Sequence, residues 1–130
     1  MTLHIHKPQF VSTPVCTMVV GLAARNLRGF VFLWTRIVSF VLGTRRATGC
    51  RGVYPGISSL RRLILVSYWK DRESLQAFAR SPTHVAWMRF IARHPDTLDL
   101  FNETYEAPVS LNTINQREGF TAALEKENQP

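Results

Sequence analysis

The first seventy residues contain no aspartate and no glutamate. Met1 to Lys70 holds ten Lys and Arg, whereas Asp71 to Pro130 sets six basic residues against nine acidic ones, and together they give the formal net charge of +7. Cysteine is nearly as scarce. Cys16 and Cys50 alone cannot build a disulfide framework or a Cys-rich zinc site. The opening MTLHIHKPQF lacks a long apolar run, so no secretory signal is expected and a reducing cytoplasmic setting is. No internal repeat, low-complexity tract, GxGxxG or P-loop occurs, which removes repeat arrays, collagen and the usual nucleotide cradles. What remains is a globular composition, with 45% apolar and 19% charged residues, in a chain of 130 that suits one domain.

The charge asymmetry points to an anionic partner: nucleic acid, a membrane surface or an acidic substrate. Nucleic acid fits poorly. The basic residues are scattered arginines with only two doublets, Arg45-Arg46 and Arg61-Arg62, and no zinc-finger spacing or RNA-recognition consensus accompanies them. An anionic membrane surface fits better, because Leu27 to Leu42 is apolar at eleven of sixteen positions and arginines flank it. Sixteen residues with Arg28 and Arg36 inside fall short of the ~20 apolar residues that span a bilayer. A dimer interface is the other use for that surplus of apolar surface.

Residues 1–14 read as a loose arm ended by Pro14, residues 15–107 as the folded domain, and residues 108–130 as a polar tail with weak helical character near Phe120 to Lys126. Cys16 to Ala24 is a continuous apolar run, the mark of a strand buried on both faces. Leu27 to Leu42 is predicted helical, with Gly43 as its stop. Gly49 to Tyr54 is a short strand, Pro55 to Ser59 a turn, and Leu60 to Trp69 a second strand apolar on both parities. A short helix starts at Asp71 as N-cap and buries Leu75, Phe78 and Ala79; another starts at Ser81 with Pro82 in its first turn and ends near Arg93. Leu98 to Glu106 alternates two unlike faces, Leu98, Leu100, Asn102 and Thr104 against Asp99, Phe101, Glu103 and Tyr105.

The resulting order is β-α-β-β-α-β, that of a ferredoxin-like α+β protomer with a four-stranded antiparallel sheet. Its two central strands are the two that are apolar on both faces. Helices cover one face of such a sheet. The other stays an apolar patch until something covers it, and a sheet-to-sheet homodimer is the economical cover.

Two acid–base residues stand out. His84 shares a helix face with Trp87, Met88 and Ile91, so its imidazole points into apolar surroundings, where it acts as general acid or base or is a buried histidine satisfied by a carbonyl. Glu103 lies between Phe101 and Tyr105, as a desolvated base or as a partner for an arginine such as Arg62 or Arg25. Both are placed beside one pocket, with Tyr68, Trp69, Trp87 and Tyr105 as an aromatic wall and Asn26 as a polar contact for a carbonyl; core packing and helix capping are the plainer uses of those residues. No metal-ligand cluster is present: His4-x-His6 lies in the arm, away from any carboxylate. A haem stays open, since a single histidine ligand leaves no spacing signature.

Val66-Ser-Tyr-Trp69, then Leu75-Gln-Ala-Phe-Ala-Arg-Ser-Pro-Thr-His84, then Phe101-Asn-Glu-Thr-Tyr-Glu-Ala-Pro108, together resemble a family of small fungal monooxygenase-like proteins with a member in fumagillin biosynthesis. Val19 to Leu22, Asn26 and Gly49 to Gly52 extend the resemblance over roughly residues 17–107. That family sits in the antibiotic-biosynthesis-monooxygenase superfamily of dimeric α+β barrels. The resemblance implies a ferredoxin-like protomer, a homodimer, a pocket between sheet and helices, and secondary-metabolite chemistry usually done without metal or flavin. The family often has a histidine just before Glu-Thr-Tyr; this chain has Asn102, so the histidine role passes to His84. The tail after Pro108 also lacks the family's tyrosine-bearing segment. The expected function is a tailoring enzyme for a hydrophobic polyketide or terpenoid, a cofactor-independent monooxygenase first. An isomerase or cyclase on similar substrates and a ligand-binding or membrane-surface scaffold are the alternatives.

Overall fold

The apolar run Cys16–Ala24 is a strand paired along both edges and buried on both faces for most of its length, which matches its lack of a polar face. In the computed structural model, which describes residues 2–6, 15–106, 113–114 and 118–127, the elements are β1 (Ile5–His6), β2 (Cys16–Ala24), α1 (Leu27–Arg46), β3 (Cys50–Ser59), β4 (Arg62–Trp69), α2 (Arg72–Ala79), α3 (Pro82–Arg93), β5 (Leu98–Glu106), β6 (Thr113–Ile114) and α4 (Gly119–Glu127). Strands β3-β4-β2-β5 form one antiparallel sheet with β4 and β2 central, the ferredoxin-like arrangement. The short strands β1 and β6 pair with each other. The loose arm and polar tail read from the sequence thus each supply a paired segment, and residues 1 and 7–14 of the arm lie outside the described residues.

Register assigns the faces. Cys16, Met18, Val20 and Leu22 stand opposite Trp69, Ser67, Leu65 and Leu63, and opposite Glu106, Thr104, Asn102 and Leu100. This face meets the helices: Leu33 and Phe40 of α1, Leu75 and Phe78 of α2, and Trp87 of α3 close over it as the core. Ala79, expected to be buried, is exposed, because α2 turns only Leu75 and Phe78 inward. Thr17, Val19, Gly21, Tyr68, Val66, Phe101, Glu103 and Tyr105 occupy the opposite face. There, α4 packs against β3 and β4, with Gly119 N–H donating to the Tyr54 hydroxyl at 2.8 Å.

Two boundaries differ from the expectation. Pro55-Gly56 is not a turn but lies within β3, opposite Leu65 and Ile64. β3 is an edge strand with a neighbour on one side only, the place in a sheet where a proline is tolerated. The turn is Leu60-Arg61 instead. Gly43 does not stop α1 either. The helix runs to Arg46, and Gly43 is the point of close approach to α3, where an added Cβ would sit 3.1 Å from Thr83. At 20 residues α1 is long and apolar enough to cross a membrane, yet it lies along the sheet through Leu33, Phe40 and Thr44.

Candidate active site

The apolar residues of α1 outnumber those the sheet can cover, and the helix leans toward the β3 edge. A cavity of about 300 Å³ lies beneath it. Trp34, Ile37, Val38, Phe40, Val41 and Leu42 of α1 form its roof; Leu22, Leu63, Leu65, Pro55 and Ile57 form the floor and side. The Trp34 indole N–H donates to the Leu60 carbonyl at 2.9 Å and so ties α1 to the β3–β4 turn. Among the described residues, no titratable side chain lines this space. It can bind and desolvate an apolar molecule but cannot itself move a proton.

His84 stands behind one wall of that cavity. Phe40 packs on Phe78 at 6.1 Å between centroids, and Phe78 meets the imidazole edge to face at 5.8 Å. The Ser81 hydroxyl accepts from His84 N–H and so starts α3 with the histidine turned inward, as the sequence pattern requires. Burial pushes its pKa below the ordinary 6.5, against a smaller opposing pull from a hydrogen bond to the Ala79 backbone. The ring is therefore neutral near pH 7. Its Nδ1 is buried and makes no hydrogen bond within the protein, which costs about 1–3 kcal/mol unless a water or ligand atom meets it.

Glu103 does not join His84. It projects from the other face of the sheet, where its carboxylate accepts a hydrogen bond from the Tyr105 hydroxyl and thereby raises the tyrosine pKa. The two acid–base residues therefore border no common pocket within a protomer, and Arg25 bridges to Asp99 rather than to Glu103, at 3.8 Å. The expected aromatic wall divides as well. Trp69 is fully buried core, its indole N–H on the Ser67 hydroxyl at 2.8 Å. Trp87 packs on Phe32 and Phe40 between α1 and α3. Tyr68 and Tyr105 flank Thr17 on the α4 side of the sheet, and Tyr68 meets Tyr54 edge to face. Burial first, and Tyr54 second, push the Tyr68 hydroxyl pKa up. Asn26 is the N-cap of α1: its carbonyl oxygen accepts from Gly29 N–H at 2.9 Å, and its amide donates to the Asp96 carbonyl at 3.2 Å.

The sequence reading missed the cavity lining from α1 and β3, because an apolar helix residue looks the same whether it fills core or roofs a void. It also missed Thr17, whose hydroxyl is buried without a partner between two tyrosine-bearing strands. Among the described residues, no group of three or more His, Cys, Asp and Glu could hold a metal ion. The Cys16 and Cys50 thiols are held above their usual pKa by burial.

Solved structures share this architecture. A candidate antibiotic biosynthesis monooxygenase from Deinococcus radiodurans superposes with a TM-score of 0.62 at 17% identity, over 75% of this chain and 97% of its own. SnoaB, a cofactor-independent oxygenase from Streptomyces nogalater, gives 0.60 at 9% identity, over 76% and 98%. A dimeric ferredoxin-like protein of unknown function from Bacteroides fragilis gives 0.55 at 14%, over 74% and 99%. At such identities the likeness is one of fold. No curated protein sequence matches the chain. The sequence profile of the monooxygenase af470-like family, however, matches residues 16–116, from the first strand of the sheet to beyond the last. With the sheet order, the covering helices and the matched span in agreement, the chain belongs to the monooxygenase af470-like family.

Proposed function

We propose that this protein is a cofactor-independent monooxygenase acting on a lipophilic polyketide- or terpenoid-like intermediate of secondary metabolism. The observation that carries the reading is the apolar cavity of about 300 Å³ beneath α1, in a chain of a monooxygenase-like family. The substrate's apolar body fills this space with its acidic carbon against Phe40, and the Phe40 and Phe78 rings, which stand between the cavity and His84, must turn aside for that carbon to reach the imidazole. Neutral His84 accepts a proton through Nδ1, leaving a carbanion conjugated with a phenol or enol. The carbanion reduces oxygen and forms a carbon–oxygen bond. Loss of water from the resulting hydroperoxide converts a CH₂ to a carbonyl: one oxygen atom enters the product, the other leaves as water, and all four electrons come from the substrate. Exclusion of water by the apolar lining protects the carbanion from simple reprotonation.

A second reading rests on Thr17. Its orphaned hydroxyl lies among Tyr68, Tyr105 and Glu103 on the sheet face that a homodimer would enclose, and there Glu103 would serve as base with no part for His84. Kinetics of three variants separate the two. His84→Ala lowers turnover by roughly 100- to 10,000-fold, the usual worth of a general base, while Glu103→Gln keeps more than about half. Val41→Trp, which fills the cavity, raises KM without matching loss of stability. The opposite ranking of His84→Ala and Glu103→Gln transfers the chemistry to the sheet face.

A further inference from the structure

The apolar surplus of α1 does not end at the cavity. Leu27 (77% exposed), Val31 (51%), Val38 (65%) and Leu42 recur at helical spacing and form one outward stripe. Ile57 (66%) and Leu60 (72%) of the β3–β4 hairpin continue it, and Val38, Leu42 and Ile57 are also cavity walls. Only 22% of the most apolar window of this 20-residue helix is buried. Beside the stripe, the outer groove between α1 and α3 is lined by Arg36, Arg89 and Arg93. Arg45 and Arg46 close the helix, and neither α1 nor α3 contains an Asp or Glu.

We propose that this face docks the protein on an anionic lipid surface, with the cavity mouth turned toward the bilayer. The occupant follows from the charge. A second copy meeting this face symmetrically would set the same arginines against each other. A nucleic acid would neutralise the arginines and leave the stripe in water. An anionic bilayer offers phosphates for the first and an apolar layer for the second. Docking itself is independent of the enzymatic reading; what rests on that reading is the consequence that lipophilic substrate enters the cavity directly from the membrane.

Co-sedimentation of the full chain with phosphatidylcholine vesicles, with and without phosphatidylserine, tests this. The protein is expected to bind the phosphatidylserine vesicles at low salt, to release as salt rises, and to ignore phosphatidylcholine alone. Leu27→Glu with Val31→Glu, and separately Arg89→Glu with Arg93→Glu, should each weaken binding about tenfold or more. Neither pair lies in the cavity, and glutamates in the first turns suit the helix N-terminus, so turnover of substrate supplied in solution should persist. If the glutamate pair fails to fold, Leu27→Asn with Val31→Thr replaces it. No binding at low salt overturns the proposal, as does binding that both pairs leave unchanged. A change in mass by light scattering on substituting the stripe, without vesicle binding by the parent, makes the face a protein interface and also overturns it.

Discussion

His84 has the same cause for its position and its chemistry. Helical spacing turns it inward with Trp87, and the enclosure that follows penalises the imidazolium. Stability inherits that penalty with a definite sign. Above the ordinary histidine value of 6.5, folded and unfolded rings are both neutral and the contribution is complete. Below it, the unfolded chain binds a proton that the buried ring resists, so stability falls until the pH passes the lowered folded value. Denaturant titrations should therefore show a smaller loss between about pH 7 and about pH 5 in His84→Phe than in the parent, and an equal loss would deny the burial effect. The inward face of α3 was legible in the sequence for His84, Trp87 and Ile91, which repeat at helical spacing, whereas Met88, expected on the same face, lies at its margin and is exposed. The separation of His84 from Glu103 was not. Alternation along β5 told Glu103 apart from Leu98 and Leu100, but only the pairing of β5 with β2 decides which set meets the helices.

At the scale of elements, capping chemistry was easier to read than punctuation. Asp71 and Ser81 cap α2 and α3 where an oxygen-bearing side chain precedes an apolar pattern. Asn26 does the same for α1 and also ties it to the α3–β5 turn through Asp96. Asn26→Ala should thus cost about 1–2 kcal/mol of unfolding free energy while leaving KM unchanged, as read by denaturation and steady-state kinetics. A raised KM at unchanged stability would restore Asn26 to substrate binding. Glycine and proline misled for a physical reason. Pro55 is harmless on an edge strand, and Gly43 serves contact with Thr83 rather than termination, and neither circumstance is visible before strand order and helix packing are known.

For the whole molecule, the four-stranded order and its two central strands were legible because double-sided apolarity marks a strand with neighbours on both edges and cover on both faces. The α4 cover was not, since a polar segment of weak pattern gives no sign of where it docks. It covers the Tyr54–Tyr68 end and leaves Phe101 and Tyr105 exposed at the β5 end. We propose that a second protomer covers that end, sheet against sheet. Light scattering at micromolar concentration should give twice the protomer mass, and Phe101→Glu should give a folded monomer. A monomeric parent contradicts the dimer.

Oxygen uptake tests the central claim most directly. Metal-stripped, chelator-treated protein is mixed with a panel of lipophilic, enolisable phenols, the uncatalysed autoxidation is subtracted, and product is analysed after turnover under labelled oxygen. The account predicts one oxygen molecule consumed for each product, one labelled atom incorporated, and loss of both in His84→Ala. Turnover under argon at an undiminished rate would contradict it.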